Sequence, residues 1–241
     1  MKSKNIYKAI FLGLLMTGFS SYVKSQGCGM YFPLVVGTET EMTNYDDKGK
    51  VEGKSITKVT AVSSPDGGAS TVATIQTTAK DKKDEVEGTA TSSVKCSDGK
   101  IYIEMKSFAP NKSSEDMKDM EIKTDASWLE LPQTLTVGMV LLDGTGTMSM
   151  YSSGTLFSTM KINITNRKVV SSETITTTAG TFTCFKVTQD ILVETTTMGI
   201  PMKMNSKSTD YYSAGTGLVK SEYYNKNDKL TGYSELTKIT K

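Results

Sequence analysis

The sequence predicts a mainly β fold: a curved antiparallel sheet, half-barrel or barrel-like, with one short helix between two similar β-halves. Three observations lead there. Apolar and polar residues alternate with a period of two over many short segments, threonine crowds those segments, and Asp-Gly-type turn signals separate them at strand-length intervals. A period of two places one face of a strand on a core and the other in water. That one-sided pattern belongs to antiparallel sheets, because parallel strands read as continuous apolar runs.

The chain opens on a different kind of segment. Lys2, Lys4 and Lys8 with no acid precede an apolar run, Ala9–Phe19, and a polar exit, Ser20–Ser25. This is the layout of a cleavable secretory signal. The apolar run is too short for a bilayer core, which takes about 20 residues. Val23 and Ser25 are small enough to flank a cut before Gln26. The expected division is a signal peptide over 1–25 and a single β-rich domain over 26–241, with no transmembrane span after cleavage. Ser25 and Gln26 fit a lipoprotein signal poorly, but a lipid anchor through Cys28 stands as a minor alternative to simple export into the periplasm or the medium.

Within the domain, Lys100–Met105, Thr147–Met150, Thr159–Thr165 and Pro201–Asn205 alternate as strands. Their threonines suit a pleated, half-exposed surface. Turn signals fall at Asp47-Lys48-Gly49, Pro65-Asp66-Gly67-Gly68, Ser97-Asp98-Gly99, Asp143-Gly144 and Asn227-Asp228-Lys229,. Ser113 to about Ile122 reads as the short helix: Ser113 or Ser114 caps it, acids fill its first turn, and Met117 and Met120 share a face,. The mixed charges of Lys80–Glu87 read as a solvated loop or hairpin end. Phe32-Pro33 with Val36-Gly37 is echoed by Leu131-Pro132 with Val137-Gly138, which suggests pseudo-repeats over about 31–108 and 128–241.

Composition excludes several chemistries. The formal charge is +2; loss of Lys2, Lys4, Lys8 and Lys24 with the signal turns it to about −2, and Arg167 is the sole arginine. Nucleic-acid binders concentrate Lys and Arg against phosphate, so no nucleic-acid partner is expected. There is no histidine, which removes the usual general base and the His-assisted nucleophiles, and with them imidazole zinc sites. No enzyme, metal or cofactor is expected. Of the three cysteines, Cys96 and Cys184 lie in strand-like text and Cys28 near the N-terminus. In an oxidising compartment the expected bridge is Cys96–Cys184.

Remaining motifs read as structural. Ser-x-x-Lys at Ser55–Lys58, Ser92–Lys95 and Ser158–Lys161 lies in strand text, where residues three apart point to opposite faces,. Gly144-Thr145-Gly146 and Gly215-Thr216-Gly217 complete no phosphate loop and read as turn or bulge glycines,. Glu39 and Glu41 read as a solvated face. The methionines Met148, Met150, Met160, Met202 and Met204 all fall on alternating strands. Flexible thioethers suit adaptable apolar surfaces, so these residues are candidates to line a site for a lipophilic ligand, with ordinary core filling as the alternative.

Tyr31-Phe32-Pro33-x₃-Gly37, the turn Tyr45–Lys50, the segment Thr178–Val187 and the close Gly215–Tyr223 together resemble the TapB-like family, related to the bacterial domain of unknown function 3108. The resemblance implies an exported bacterial protein of curved antiparallel sheet without an established activity, and it implies no catalytic residue. The expected function is a non-enzymatic binding protein of the periplasm or cell envelope, for a lipophilic small molecule or an envelope protein. The alternative is a structural or adhesion-type interaction protein.

Overall fold

The computed structural model describes residues 30–108, 120–125 and 127–241. The expected signal segment and Cys28 lie outside them. The described chain forms thirteen strands: β1 (Glu39–Asp46), β2 (Val51–Ser63), β3 (Ser70–Asp81), β4 (Val86–Ser97), β5 (Lys100–Glu104), β6 (Met120–Thr124), β7 (Trp128–Pro132), β8 (Gly144–Ser152), β9 (Thr155–Thr177), β10 (Gly180–Thr197), β11 (Ile200–Ser213), β12 (Gly217–Asn225) and β13 (Leu230–Thr240). A single 3₁₀ turn, Met105–Phe108, follows β5. All strands join one sheet in the order β6-β8-β9-β10-β11-β12-β13-β1-β2-β3-β4-β5-β7. Each pairing is antiparallel, and β1 against β13 sews the two ends of the chain together in mid-sheet. The mainly β, curved antiparallel fold is the one the alternation predicts.

Local chemistry sets the hairpins. Asp46, Asp81 and Asn225 each accept two backbone N–H bonds, from the residues two and four positions ahead. The turn closes through a residue at positive φ: Gly49, Asp84 and Asp228. This is a type I turn followed by a left-handed residue, a common three-residue hairpin loop. The echoed segments also share a geometry. Gly37 N donates to Val59 O and Val59 N to Thr38 O, both at 2.9 Å; Gly138 N donates to Val169 O at 2.8 Å and Val169 N to Met139 O at 2.9 Å.

Curvature is visible in who meets whom. Val59, Ile75 and Val94 of β2–β4 share one core cluster with Val169 and Val187 of β9 and β10, so the inner faces of the two flanks look at each other. Tyr31, Leu135 and Leu141 fill the space between them. The sheet stays open, because β6 and β7 are its terminal strands. Even so, β7 runs close over β8: a Cβ on Gly144 would stand 2.5 Å from Leu129 Cδ1. A second cluster under this seam holds Met105, Leu129, Met148, Met160, Ile162 and Ile164.

Three expectations are corrected. Met120–Ile122, the end of the predicted helix, is strand β6, with Ile122 opposite Met150; the rest of that segment lies outside the described residues. Asp143-Gly144 is no turn, since β8 begins at Gly144 and residues before it already run along β9, with Leu141 N donating to Arg167 O at 2.8 Å. The Cys96–Cys184 bridge is not made: Cys184 is a free, buried thiol. Cys96, opposite Ile101, shares the inner face with Val94, whereas Cys184 packs on the other face with Tyr211 and Val219. A disulfide needs Cβ atoms about 3.5–4.5 Å apart, which opposite faces of a sheet do not allow.

Candidate functional site

On the inner face lies a cleft of about 210 Å³. Alternation along β1 and the residue before it turns Thr38, Thr40 and Met42 toward it. Thr57 and Val59 of β2, Ile103 of β5, Tyr212 of β11 and Leu218 of β12 supply the other walls. The entry segment Tyr31-Phe32-Pro33 forms one side. Tyr31 is fixed there by edge-on contacts with the Phe185 and Tyr212 rings, centroids 6.5 Å apart in each case. Burial raises its phenol pKa, against the pull of a hydrogen bond from the Leu135 backbone. Among the described residues, no Lys, Arg, Asp or Glu lines the cleft. One polar atom there is unusual: Thr38 Oγ1 is buried without a hydrogen-bond partner, in a residue 2% exposed.

Beyond Tyr212 runs a buried polar belt. Opposite Gln189, β9 carries an irregularity between Lys168 and Thr165. Asn166 adopts φ +55° within it. A bulge re-aims the side chains that follow it, and here it brings Arg167 onto the inner face together with Val169. Arg167 is 1% exposed. Its Nε donates to Gln189 Oε1 at 3.2 Å, and its Nη1 to the carbonyls of Glu130 at 2.8 Å and Leu142 at 2.6 Å. The guanidinium therefore ties β7 and the lead into β8 to β9 across the open seam. Gln189 Nε2 passes the network on to Ser208 Oγ at 2.9 Å and Asp210 Oδ2 at 3.0 Å, and Ser221 Oγ donates to Asp210 Oδ1 at 2.6 Å. Burial pushes the Asp210 carboxyl up to about 6, against the Ser221 hydrogen bond and the Arg167 charge.

The Ser221–Asp210 pair is a structural one, with both residues buried and the carboxylate engaged on both oxygens. Among the described residues no group of three or more His, Cys, Asp or Glu side chains is placed to hold a metal. No described helix is long and apolar enough to cross a membrane. What the cleft offers is apolar surface and uncharged hydroxyls.

The five methionines share the inner face but do not converge on this cleft. Met148 pairs with Met160, Met160 with Thr195 and Thr195 with Met202, one row across β8–β11. At one end of the row Met148 and Met160 are buried under Met105 and Leu129 and border a hollow of only about 10 Å³. At the other, Met202 and Met204 are each 59% exposed. Met150 is half-buried beside Ile122. Sequence reasoning missed Thr38, Tyr31 and Arg167. The lone arginine inside an alternating strand was the available signal for the last of these.

Two solved structures share the fold. One, from Parabacteroides distasonis, is described as a "putative lipoprotein": 20% identical, TM-score 0.71, with 89% of this chain and 100% of that one covered. The other, from Bacteroides fragilis, is described as a "putative exported protein" with a YmcC-like fold: 23% identical, TM-score 0.69, with the same coverage. No curated protein matches the chain. Residues 36–236 match the family of unknown function that the sequence resemblance pointed toward, and the chain belongs to the DUF3108-like family.

Proposed function

We propose that this chain is an exported, non-enzymatic binding protein of the periplasm or cell envelope that holds a lipophilic ligand in the inner-face cleft. The observation that carries the reading is the cleft itself: about 210 Å³ walled by Phe32, Met42, Val59, Ile103 and Leu218, with no charged side chain among the described residues. Binding sites are mostly apolar, with a few convergent polar groups. The signal-like N-terminus and the descriptions of the two structural neighbours support the location. The ligand-lining role moves from the methionine row to Met42 and its neighbours, since Met148 and Met160 are packed under the seam. Typical drug-sized pockets run about 300–1,000 Å³, so the cleft takes one end of an elongated ligand.

The test is binding of N-phenyl-1-naphthylamine, whose fluorescence rises in apolar surroundings. The wild-type domain should enhance it, and Met42→Trp, which fills the cleft from a half-buried position, should abolish the enhancement without lowering Tm. A wild-type domain without enhancement, or equal enhancement by Met42→Trp, overturns the reading.

A further inference from the structure

Cys96 is one half of a disulfide. The chain has three cysteines. Cys184 is a free thiol, packed with Tyr211 and Val219 on the face away from Cys96. Elimination leaves Cys28 as the partner of Cys96, and reach agrees. Met30 is held by its carbonyl, which accepts from Gly215 N at 2.6 Å. Tyr31, 3% exposed, shares one core cluster with Val94 and Ile101. Val94 is the next inward-facing residue on the strand of Cys96, and Ile101 lies opposite Cys96 across the β4–β5 pair. Cys28 stands three residues ahead of Tyr31, a stretch that an extended chain covers in about 10 Å. A bridge adds about 4.4–6.8 Å between Cα atoms. From a start inside the same cluster, that tether is long enough.

We infer that Cys28 and Cys96 form a disulfide that fastens the start of the exported chain to β4, and that Cys28 is therefore not a lipid anchor. An acyl anchor is a thioether on the cysteine sulfur, and a sulfur engaged in a disulfide has no valence left for it. Exported chains meet oxidising conditions, where such a bond persists. It forms by exchange with the disulfide of an exported thiol–disulfide oxidoreductase. One thiolate of the pair attacks that disulfide, and the other resolves the mixed disulfide. The two thiols give up two protons and two electrons, and the oxidoreductase becomes a dithiol. The crosslink also ties down the Tyr31-Phe32-Pro33 side of the cleft. It holds whether or not the cleft takes a lipophilic ligand.

The test is tryptic mapping of the full chain, exported by a bacterial host on its own leader and alkylated with iodoacetamide in denaturant without reductant. The peptide that carries Cys28 and ends at Lys48 should be joined to Cys96–Lys100. The joined species should weigh two hydrogens less than the separate peptides, and dithiothreitol should split it. Cys184 should be the one cysteine alkylated. Cys28→Ser should expose Cys96 to alkylation and lower Tm by about 5–10 °C. Dithiothreitol should lower the Tm of wild type by the same amount and leave that of the variant unchanged. An alkylated Cys96 in wild type, a Cys96–Cys184 fragment, a bridge between two copies or an acylated Cys28 overturns the inference. The mapping needs only the wild-type protein, so it decides even where Cys28→Ser does not fold.

Discussion

Gln189 Nε2 donates to Asp210 Oδ2 at 3.0 Å, and the same amide accepts from Arg167 through Oε1. One neutral side chain thus links a buried cation on β9 to a buried carboxyl on β11. The amide has a single productive orientation, because its oxygen must face the guanidinium and its nitrogen the carboxyl. With Ser208 and Ser221 the belt crosses four strands, and through Arg167 it reaches the edge strand β7. No hydrogen-bonded ladder closes this sheet among the described residues, so Arg167 shares the holding of its seam with the Met105–Leu129 cluster.

Arg167→Lys should therefore be costly. A lysine ammonium is a compact point charge and cannot reproduce the planar fork that reaches Gln189 Oε1 and two carbonyls at once. Breaking a buried charged network typically costs about 3–5 kcal/mol. Urea denaturation should show a loss in that range for Arg167→Lys; a variant within about 0.5 kcal/mol of wild type would show that the belt does not hold the seam.

Asp210 makes stability depend on pH. Burial, opposed by Ser221 and Arg167, lifts its carboxyl from the ordinary 3.8 to about 6. The folded state then binds the proton more tightly than the unfolded one. The resulting stabilisation is full below about pH 4 and is lost as pH rises through about 6. Asp210→Asn keeps the network if its amide nitrogen donates to Ser221 Oγ and its oxygen accepts from Gln189. The stability of Asp210→Asn relative to wild type should climb between pH 4 and 7 by on the order of 3 kcal/mol. Parallel stability curves for the two proteins would contradict the assignment.

Much of the strand inventory was legible because alternation is local. Lys100–Met105, Thr159–Thr165 and Pro201–Asn205 run as strands, save that Met105 itself opens the 3₁₀ turn. Asp47-Lys48-Gly49 and Asn227-Asp228-Lys229 sit in hairpin loops because the Asx side chains just before them, Asp46 and Asn225, accept from nearby backbone N–H groups. What was not legible depended on which face of which strand meets which other. Cys96 and Cys184 both lie in strand text, but their relation depends on which face of each strand turns to the core, the face of Val94 on β4 and of Val187 on β10, and Cys184 falls opposite to Val187. Met148 and Met202 belong to one cross-strand row, yet only Met148 has Met105 and Leu129 above it. Met202 lies beyond Ser206, where β12 ends against β11 at Asn225. Strand-length mismatch is a tertiary fact, and so is the recruitment of Met120–Ile122 as a strand by the edge of β8.

Cys184 should be inert in the native protein. It is fully buried, and burial, with Glu173 nearby, pushes its thiol up to about 11. The thiolate is the reactive form, so iodoacetamide at pH 8 should leave Cys184 unlabelled until denaturant is added, after which it should label without any reductant. Peptide mapping reads both results. Labelling of native protein, or a need for reductant after unfolding, would contradict the free buried thiol.

The glycines of β8 should rank in a definite order. Both lie where β7 and the 3₁₀ turn press on the strand, and neither has a positive φ, so the effect of a methyl group is steric. At Gly144 the new Cβ would meet Leu129 Cδ1, the far end of a side chain that can change rotamer; the next nearest Leu129 atom is 3.7 Å away. At Gly146 it would stand 2.6 Å from Met105 Cβ and 3.0 Å from Ser127 Oγ. Met105 Cβ is fixed to a backbone that Met105 N itself anchors to Ser127 O at 2.9 Å. Overpacking of this kind costs typically about 1–3 kcal/mol. It is partly offset by the ~0.4–1 kcal/mol gained when alanine replaces glycine in the unfolded chain. Gly144→Ala should therefore lie near neutral, and Gly146→Ala should lose about 2 kcal/mol by urea denaturation. A reversed order would mean that the 3₁₀ turn and Ser127 are not seated on β8 at Gly146.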